Sequence, residues 1–131
     1  MIAFDTNVLV RFLVEDDTAQ QARAKALITR ESRSGQRILI SQLVLLETEW
    51  VLRSRYRFDK EEIMGSLSGM LESIEFEIED ESTVEQALYV WKDSTADFAD
   101  CLIGARHKSL GCRATVTFDE KALKLPGFVS P

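Results

Sequence analysis

The sequence predicts an α/β protein, a three-layer α/β/α sandwich with a central, mainly parallel sheet of roughly four to five strands. Short apolar runs alternate along the chain with helical segments of about a dozen residues. Such alternation is typical of parallel strands joined by right-handed helical crossovers. The first apolar run also ends at an aspartate, Asp5, and open parallel sheets carry their sites at the carboxyl ends of their strands.

The chain length predicts a single domain spanning residues 1–131. The sequence is 45% apolar and 29% charged, which is enough for a core without disulfides. Cys101 and Cys112 have no Cys-x-x-Cys spacing, which favours buried free thiols. No apolar run approaches the roughly 18 residues of a membrane span, and Met1 leads directly into a strand without a signal-peptide pattern. We therefore expect a cytoplasmic protein that does not contact a membrane.

Four strands, and a short fifth at the end of the chain, are expected from apolar or alternating runs. They cover residues 2–5, 38–40, 74–78 and 113–118, with the edge strand at 126–129. The run at 74–78 alternates Ile-Glu-Phe-Glu-Ile, which predicts a strand with one polar face.

Helices are expected where apolar residues recur three and four positions apart. They cover residues 7–14, 42–55, 59–71, 82–91 and 97–110, and a further helix starts at Asp16-Asp17-Thr18 and is stopped by Ser34-Gly35. Asp59 is a cap for the fourth helix, and Ser82-Thr-Val-Glu85 matches a capping box that opens the fifth. Gly65 and Gly69, one turn apart, indicate close packing against another helix, either within the chain or across a dimer.

The net charge of −6, from 16 basic and 22 acidic residues, argues against a protein that holds nucleic acid through a general positive field. The basic residues are nevertheless clustered. One group is Arg23, Lys25, Arg30, Arg33 and Arg37, and a second is Arg53, Arg55, Arg57 and Lys60. Each group alone is more simply explained as a solvated helix face. The alternative is a basic groove on one side, because local field matters more than net charge.

Two candidate carboxylates come at the ends of predicted strands. Asp5 ends the first strand and Asp119 follows the strand at 113–118, so both would lie along the same edge of a parallel sheet. Asp119 has an ordinary alternative as a turn or helix-cap residue before Glu120. Asp5 is less easily explained in this way, because the apolar strand leads directly to it.

Further candidate acids lie on predicted helices. The residues three and four positions from Glu47 are all apolar, which predicts that this carboxylate lies on an apolar face. Glu49 has Arg53 four positions on, so helical geometry favours Glu47 slightly. Asp97 and Asp100 stand three residues apart in the first turn of a helix, where cap and metal-ligand roles are equally compatible with the sequence.

The chain has neither a glycine-rich nucleotide loop nor a Gly-x-Ser-x-Gly nucleophile motif. Its single histidine, His107, excludes paired-histidine catalysis and is expected to be an exposed surface residue. Several acids held close together in a cleft repel one another and require a cation. Oxygen ligands select Mg²⁺ or Mn²⁺, which can activate water at a phosphodiester. The residues therefore indicate metal-dependent phosphoryl chemistry.

Four short motifs, in this order along the whole chain, resemble those of the PIN-domain family and, within it, of VapC-type toxins. They are Asp5-Thr6-Asn7 after the first strand, Glu47 in Leu45-Leu46-Glu47, Asp100 in Asp97-Phe-Ala-Asp100 before Ile103-Gly-Ala105, and Asp119 in Thr117-Phe-Asp119. Each motif is short, but their order and their positions at strand and helix ends are together specific.

The resemblance implies a PIN-like fold and a divalent-metal-dependent endoribonuclease that cuts single-stranded or loop RNA and leaves a 5′-phosphate. By motif match, the catalytic metal ligands would be Asp5, Glu47, Asp100 and Asp119. Auxiliary roles would fall to Asp97, Thr6, Asn7 and Thr117. The resemblance also implies Mg²⁺ or Mn²⁺ as cofactor, a homodimer, and a cognate antitoxin protein whose tail enters the active-site groove.

Two other hypotheses stay open. A haloacid-dehalogenase-like phosphatase also opens with a strand ending in Asp, but it requires a second Asp two positions later, where this chain has Asn7. A non-catalytic interaction module, in which the acids are only caps, is the other. If RNA is the substrate, the aromatic candidates for base stacking are Phe12, Trp50 and Tyr56, although packing in the core is the commoner role of such residues.

Overall fold

The computed structural model describes all 131 residues. The strands are β1 (Ile2–Ala3), β2 (Ile38–Ile40), β3 (Phe76–Ile78), β4 (Thr115–Val116) and β5 (Phe128–Val129). The helices are α1 (Thr6–Leu13), α2 (Thr18–Arg33), α3 (Gln42–Ser54), α4 (Lys60–Glu72), α5 (Glu81–Lys92) and α6 (Phe98–Ser109), and a 3-10 turn covers Ala122–Lys124. The chain divides into two compact units, an N-terminal unit (Met1–Glu79) and a C-terminal unit (Asp80–Pro131). The expectation of a single domain stays a prediction.

The N-terminal unit is built on a parallel sheet in the order β1-β2-β3. The central strand pairs Ile38 with Ile2 on one side and with Phe76 on the other. Because β2 lies between two strands, Ile38 and Ile40 are buried. The edge strand β3 buries Phe76 and Ile78 and leaves Glu77 half-buried, as its alternating sequence predicts.

Side-chain caps fix where all four helices of the N-terminal unit begin. A carboxylate or hydroxyl oxygen before each helix accepts a hydrogen bond from a backbone N–H in its first turn, and such caps stabilise a protein by about 1 kcal/mol each. The cap and donor pairs are Asp5 with Val8, Asp17 with Gln20, Ser41 with Val44 and Asp59 with Glu62. Asp59 and Glu62 form a complete capping box.

The C-terminal unit is organised by the packing of α5 against α6. Trp91 and Phe98 meet at a ring-centroid distance of 5.2 Å, and both are buried. Strands β4 and β5 pair in parallel, with Thr115 opposite Phe128. A side chain at Gly104 would collide with the ring of Phe128, so α6 can approach this ring only at a glycine.

The predicted α/β class, the parallel pairing and the order of strands and helices are confirmed. The five strands are divided between the units, with three in the N-terminal unit and two in the C-terminal unit. The second strand has the predicted bounds, and the other four are shorter than predicted, with two or three residues each. Neither cysteine forms a disulfide, and Cys101 is buried as expected, whereas Cys112 is exposed. No helix has both the length and the apolar character needed to cross a membrane.

The predicted capping box of α5 is wrong. Asp80 adopts a left-handed conformation, with φ of 49°, and already turns the chain, so the helix begins at Glu81 and Ser82 lies inside its first turn. Asp80 makes no side-chain cap hydrogen bond, and its carboxylate instead accepts a hydrogen bond of 2.7 Å from the Thr83 hydroxyl. A non-glycine residue at positive φ is strained, and this local bond compensates for part of the strain.

Two smaller expectations can also be compared with the structure. A Cβ atom added at Gly65 or Gly69 would meet no atom within 4 Å, so these glycines do not support close helix packing within the chain, and the alternative of packing across a dimer stays a prediction. His107 is half-buried rather than exposed, because its Nδ1 atom shares a hydrogen bond of 2.9 Å with the Thr115 hydroxyl.

Candidate active site

Asp5 lies at the junction of β1 and α1, where its backbone is extended, with φ of −84° and ψ of 176°. Its Oδ1 atom accepts a hydrogen bond of 3.0 Å from the Val8 amide. Its other carboxylate oxygen accepts no hydrogen bond from the protein, and the residue is exposed. The helix therefore orients this carboxylate through one oxygen and leaves the other available to a ligand.

Thr6, the first residue of α1, connects this position to α3. Its hydroxyl donates a short hydrogen bond to Oε1 of Glu47. Because Thr6 follows Asp5 directly, the bond holds the Glu47 carboxylate beside the start of α1. The predicted auxiliary position at residue 6 thus contacts one candidate ligand, whereas the exposed side chain of Asn7 makes no hydrogen bond to either acid.

The structure reverses the expected burial of the two acids on α3. Glu47 is exposed, because Leu43 and Trp50, which flank it on the helix, are themselves 78% and 51% exposed. Glu49 is the buried acid, with 2% exposure, and Oε2 of Glu49 forms an ion pair of 2.8 Å with Nε of Arg53. A buried carboxylate with a basic partner has a structural role, so the solvent-facing Glu47 is the acid left free for chemistry.

The C-terminal unit brings three acids into electrostatic contact. Burial raises the pKa of Asp100, in the first turn of α6, and the neighbouring charges of Asp119 and Asp97 raise it further. Asp97 occupies the N-cap position of α6, but its side chain makes no cap hydrogen bond. Of the two roles that the sequence allowed for Asp97, the cap is therefore not used, and its charge contributes instead to a locally negative cluster.

Asp119 does serve as a cap. Its Oδ1 atom accepts a hydrogen bond of 2.8 Å from the Ala122 amide at the 3-10 turn, which confirms the ordinary alternative for this residue. Its own amide donates a hydrogen bond of 3.0 Å to the Thr117 hydroxyl. The cap occupies one carboxylate oxygen and leaves the other free, as at Asp5, so capping and ligand roles are compatible at this position.

None of the candidate acids Asp5, Glu47, Asp97, Asp100 and Asp119 belongs to an ion pair. The four ion pairs of the chain use other carboxylates, namely Asp16, Glu77, Glu49 and Asp80. No basic side chain therefore neutralises these five acids, which leaves them available to a cation.

Only one of the three aromatic residues proposed for base stacking is free to stack. Phe12 packs edge-on against Phe76 at a centroid distance of 5.5 Å, and the Tyr56 hydroxyl donates a hydrogen bond to Asp16. Trp50 is half exposed. The structure adds Phe118, which is 88% exposed directly before Asp119. The sequence Thr-Phe-Asp shows that an aromatic residue precedes the acid. It does not show that the side chain of Phe118 is exposed to solvent.

The donor atoms of these acids fit a hard divalent cation. All are carboxylate oxygens, which Mg²⁺ and Mn²⁺ prefer. Burial is the main cause of the raised pKa of Asp100, and the charges of Asp119 and Asp97 add to it, so a cation would relieve this part of the repulsion. Neither unit, taken by itself, contains a group of three or more His, Cys, Asp or Glu side chains arranged to enclose a metal ion. The match between these acids and a divalent cation therefore rests on the chemistry and charge of their oxygen atoms.

These features define a class, namely an α/β protein with several unpaired carboxylates available to a cation. The chain belongs to the PIN-domain family, whose model matches residues 2–127. The predicted family is thereby confirmed. Among characterised relatives, the chain is similar to the VapC ribonuclease of Aquifex aeolicus (strain VF5), with 23% identity over 125 residues that cover 95% of this chain and 92% of the relative.

A solved structure was also matched, that of VapC20 from Mycobacterium tuberculosis, described as a toxin that cleaves the sarcin–ricin loop. The match covers 100% of this chain and 98% of VapC20, with 21% sequence identity and a TM-score of 0.43.

Proposed function

We propose that this protein is a divalent-metal-dependent endoribonuclease that hydrolyses RNA phosphodiester bonds and acts in the cytoplasm as the toxin of a toxin–antitoxin pair. The observation that carries the proposal is the state of the acids. In a PIN-domain chain, Asp5, Glu47 and Asp119 each have one oxygen held by a protein donor and one oxygen free, and none has a basic partner. The similarity to a VapC ribonuclease supports RNA as the substrate.

The proposed metal ligands are Asp5, Glu47, Asp100 and Asp119. When bound, Mg²⁺ or Mn²⁺ would supply an activated water and stabilise negative charge on the phosphodiester during in-line displacement. The chain's own contribution is orientation. The Thr6 hydroxyl fixes Glu47, the Val8 amide fixes Asp5, and the Ala122 amide fixes Asp119. Asp97 and Thr117 are proposed as auxiliary residues, the first through its charge beside Asp100 and the second through the Asp119 backbone.

The test uses two matched substitutions, Asp5→Asn and Asp17→Asn. Both residues are N-caps, of α1 and α2, and Asn caps a helix as well as Asp does, so both variants should fold. We expect the wild-type protein and Asp17→Asn to cut RNA with Mg²⁺ and to be inactive in chelator. Asp5→Asn should lose activity on the order of 10²–10³-fold, because a charge that stabilises the transition state is removed.

The measurement is the initial rate of cleavage of a defined RNA, with sequencing of the cut ends to identify the 5′-phosphate. Cutting that persists in chelator, or that survives in Asp5→Asn, would contradict the proposal. Expression of the wild-type chain should also arrest growth, and co-expression of the proposed antitoxin partner should relieve this arrest. The same preparations, analysed by light scattering, test the proposed homodimer.

A further inference from the structure

A cleft of about 630 Å³ lies between α1 and α2 in the N-terminal unit. Its lining includes three arginines, Arg11, Arg23 and Arg30, although the chain as a whole carries a net charge of −6. The helix α2 carries four basic residues and one acidic residue. The cleft is therefore a local concentration of positive charge in an acidic protein.

The three arginines are not equivalent. Arg11 is occupied by other side chains, because its guanidinium group donates hydrogen bonds to Asp16, to Gln20 and to the Tyr56 hydroxyl. Arg23 and Arg30 are exposed and form none of the ion pairs of the chain. Two guanidinium groups are thus available inside the cleft to bind an anion.

The spacing of these two arginines fits a ligand with repeated negative charges. Seven residues separate Arg23 from Arg30, which is close to two helical turns, so both side chains lie on one face of α2, about 10.5 Å apart along its axis. Lys25 and Arg33 belong to the same helix but do not line the cleft. Of the basic residues on α2, only Arg23 and Arg30 therefore line the cleft.

One end of the cleft lies at the start of α1, close in sequence to Asp5. Near the turn between the helices, Arg11 donates a hydrogen bond of 2.7 Å to Gln20, and the Gln21 amide donates one of 3.1 Å to the Phe12 carbonyl. Since α1 and α2 are joined by a short connection and paired near it, they run antiparallel, and the later part of α2 lies beside the start of α1. Asn7 lines the cleft at this end, two positions after Asp5.

We propose that this cleft binds the phosphodiester backbone of the RNA substrate, with Arg23 and Arg30 contacting different phosphates of the strand that continues to Asp5 and Glu47. The inference rests on the proposed function. Planar guanidinium groups bind phosphate oxygens in a bidentate manner, which suits arginine better than lysine to this position. Every nucleotide of an RNA strand carries a phosphate, so a strand whose cleaved bond lies at the candidate acids also has phosphates on either side of them. An acidic protein segment has no bond to be cut there and need not extend to these acids.

The test measures the binding of a fluorescent single-stranded oligouridine of about 12 nucleotides in chelator, so that no cutting occurs. The variants are Arg23→Gln, Arg30→Gln, their double mutant and the control Lys25→Gln, which removes the same charge from α2 outside the cleft. Each arginine variant should bind about tenfold more weakly, and its slope of log affinity against log salt should decrease by about 0.7 per lost contact. Lys25→Gln should bind as the wild-type protein does.

Equal losses in Lys25→Gln and in the arginine variants, or no loss in any variant, would overturn the proposal. An oligoglutamate peptide serves as the second probe. If the arginine variants lose peptide binding and keep RNA binding, the cleft is a protein-docking site and the proposal is wrong.

Cleavage assays with Mg²⁺ separate this inference from the proposed function. We expect the arginine variants to raise KM about tenfold with little change in kcat, because the contacts act on the strand and not on the reacting bond. Arginine variants that cut RNA with unchanged KM would refute the cleft and leave the nuclease intact. A wild-type protein that binds RNA through these arginines but never cuts would support the cleft and refute the nuclease.

Discussion

Two pairs of candidate acids, Asp5 with Glu47 and Asp97 with Asp100, are held in opposite ways. In the N-terminal unit, Asp5 and Glu47 each accept a hydrogen bond from a donor at the start of α1, so the fold orients them. In the C-terminal unit, Asp97 and Asp100 have no such donor, and the pKa of Asp100 is raised by burial and then by the charges of Asp119 and Asp97. The first pair shows how a fold directs carboxylates, and the second group shows charge that the fold leaves uncompensated.

This difference predicts different consequences of mutation. Loss of an orienting donor in the N-terminal unit should reduce activity and leave stability nearly unchanged, because the donor acts on an exposed carboxylate. Loss of a crowded charge in the C-terminal unit should also remove activity, but it should stabilise the metal-free protein, because repulsion is relieved.

The largest effect in this comparison is expected for Thr6→Val, which keeps the shape of residue 6 and removes the hydroxyl that binds Glu47. We expect kcat to decrease about 10- to 100-fold, the usual effect of losing a group that orients a metal ligand. Thr6→Ser retains the hydroxyl and should stay close to the wild-type rate. The measurement is steady-state RNA cleavage in saturating Mg²⁺. Equal rates for both variants would show that Glu47 does not depend on Thr6.

A smaller effect, on stability, is expected for Asp100→Asn. In chelator at neutral pH, the free energy of unfolding of this variant should exceed that of the wild-type protein by about 1 kcal/mol. This is the size of interactions between partly exposed charges. Asp5→Asn is the comparison from the N-terminal unit and should leave stability unchanged, because Asn retains the cap. The measurement is urea unfolding of both variants. A loss of stability in Asp100→Asn would contradict the repulsion between Asp100 and the neighbouring acids.

The same variant predicts a pH dependence. Because the folded state raises the pKa of Asp100, folded protein binds this proton more tightly than unfolded protein does. The electrostatic penalty is thus present when the pH is above the folded pKa, and it disappears as the pH falls toward the ordinary carboxyl range. The stability difference between Asp100→Asn and the wild-type protein should therefore be greatest at neutral pH and decrease in acid.

The smallest effect is expected at Asp16 in the N-terminal unit, where the sign is opposite. A hydrogen bond from Tyr56 and the charge of Arg11 lower the pKa of Asp16, so its contribution is present above the ordinary carboxyl pKa and is lost as the pH falls through the lowered value. Asp16→Asn should remove this acid-sensitive contribution. Unfolding midpoints measured between neutral and acidic pH should show a shallower decline in the variant, and an unchanged decline would contradict the assignment.

Much of the fold was predictable because apolar periodicity reports directly on strands and helices. The class, the parallel pairing and the cap at Asp59 follow from local sequence. The start of α5 did not, because the left-handed backbone at Asp80 is not encoded by a cap motif. Local rules identify preferred conformations, and they miss positions where the chain turns against those preferences.

The residues of the candidate site stay a prediction from the sequence, and their contacts could not be predicted from it. The spacing around Glu47 predicted an apolar face, yet the exposure of Leu43 and Trp50 shows that tertiary packing, not helical spacing, decides which face is buried. The bond from Thr6 to Glu47 joins residues 41 positions apart, and no local pattern reports such a pair. The cleft between α1 and α2 likewise depends on how two helices pack.

The caps at Asp5 and Asp119 have a consequence for how tightly an ion binds. Their hydrogen bonds to the Val8 and Ala122 amides are made by residues only three positions away, so the folded chain itself orients these carboxylates. An ion that binds to them therefore loses less affinity to the ordering of its ligands. Substitution by Ala at either position would remove a cap together with a ligand, so that misfolding and inactivity could not be told apart, and Asn is the substitution that separates them.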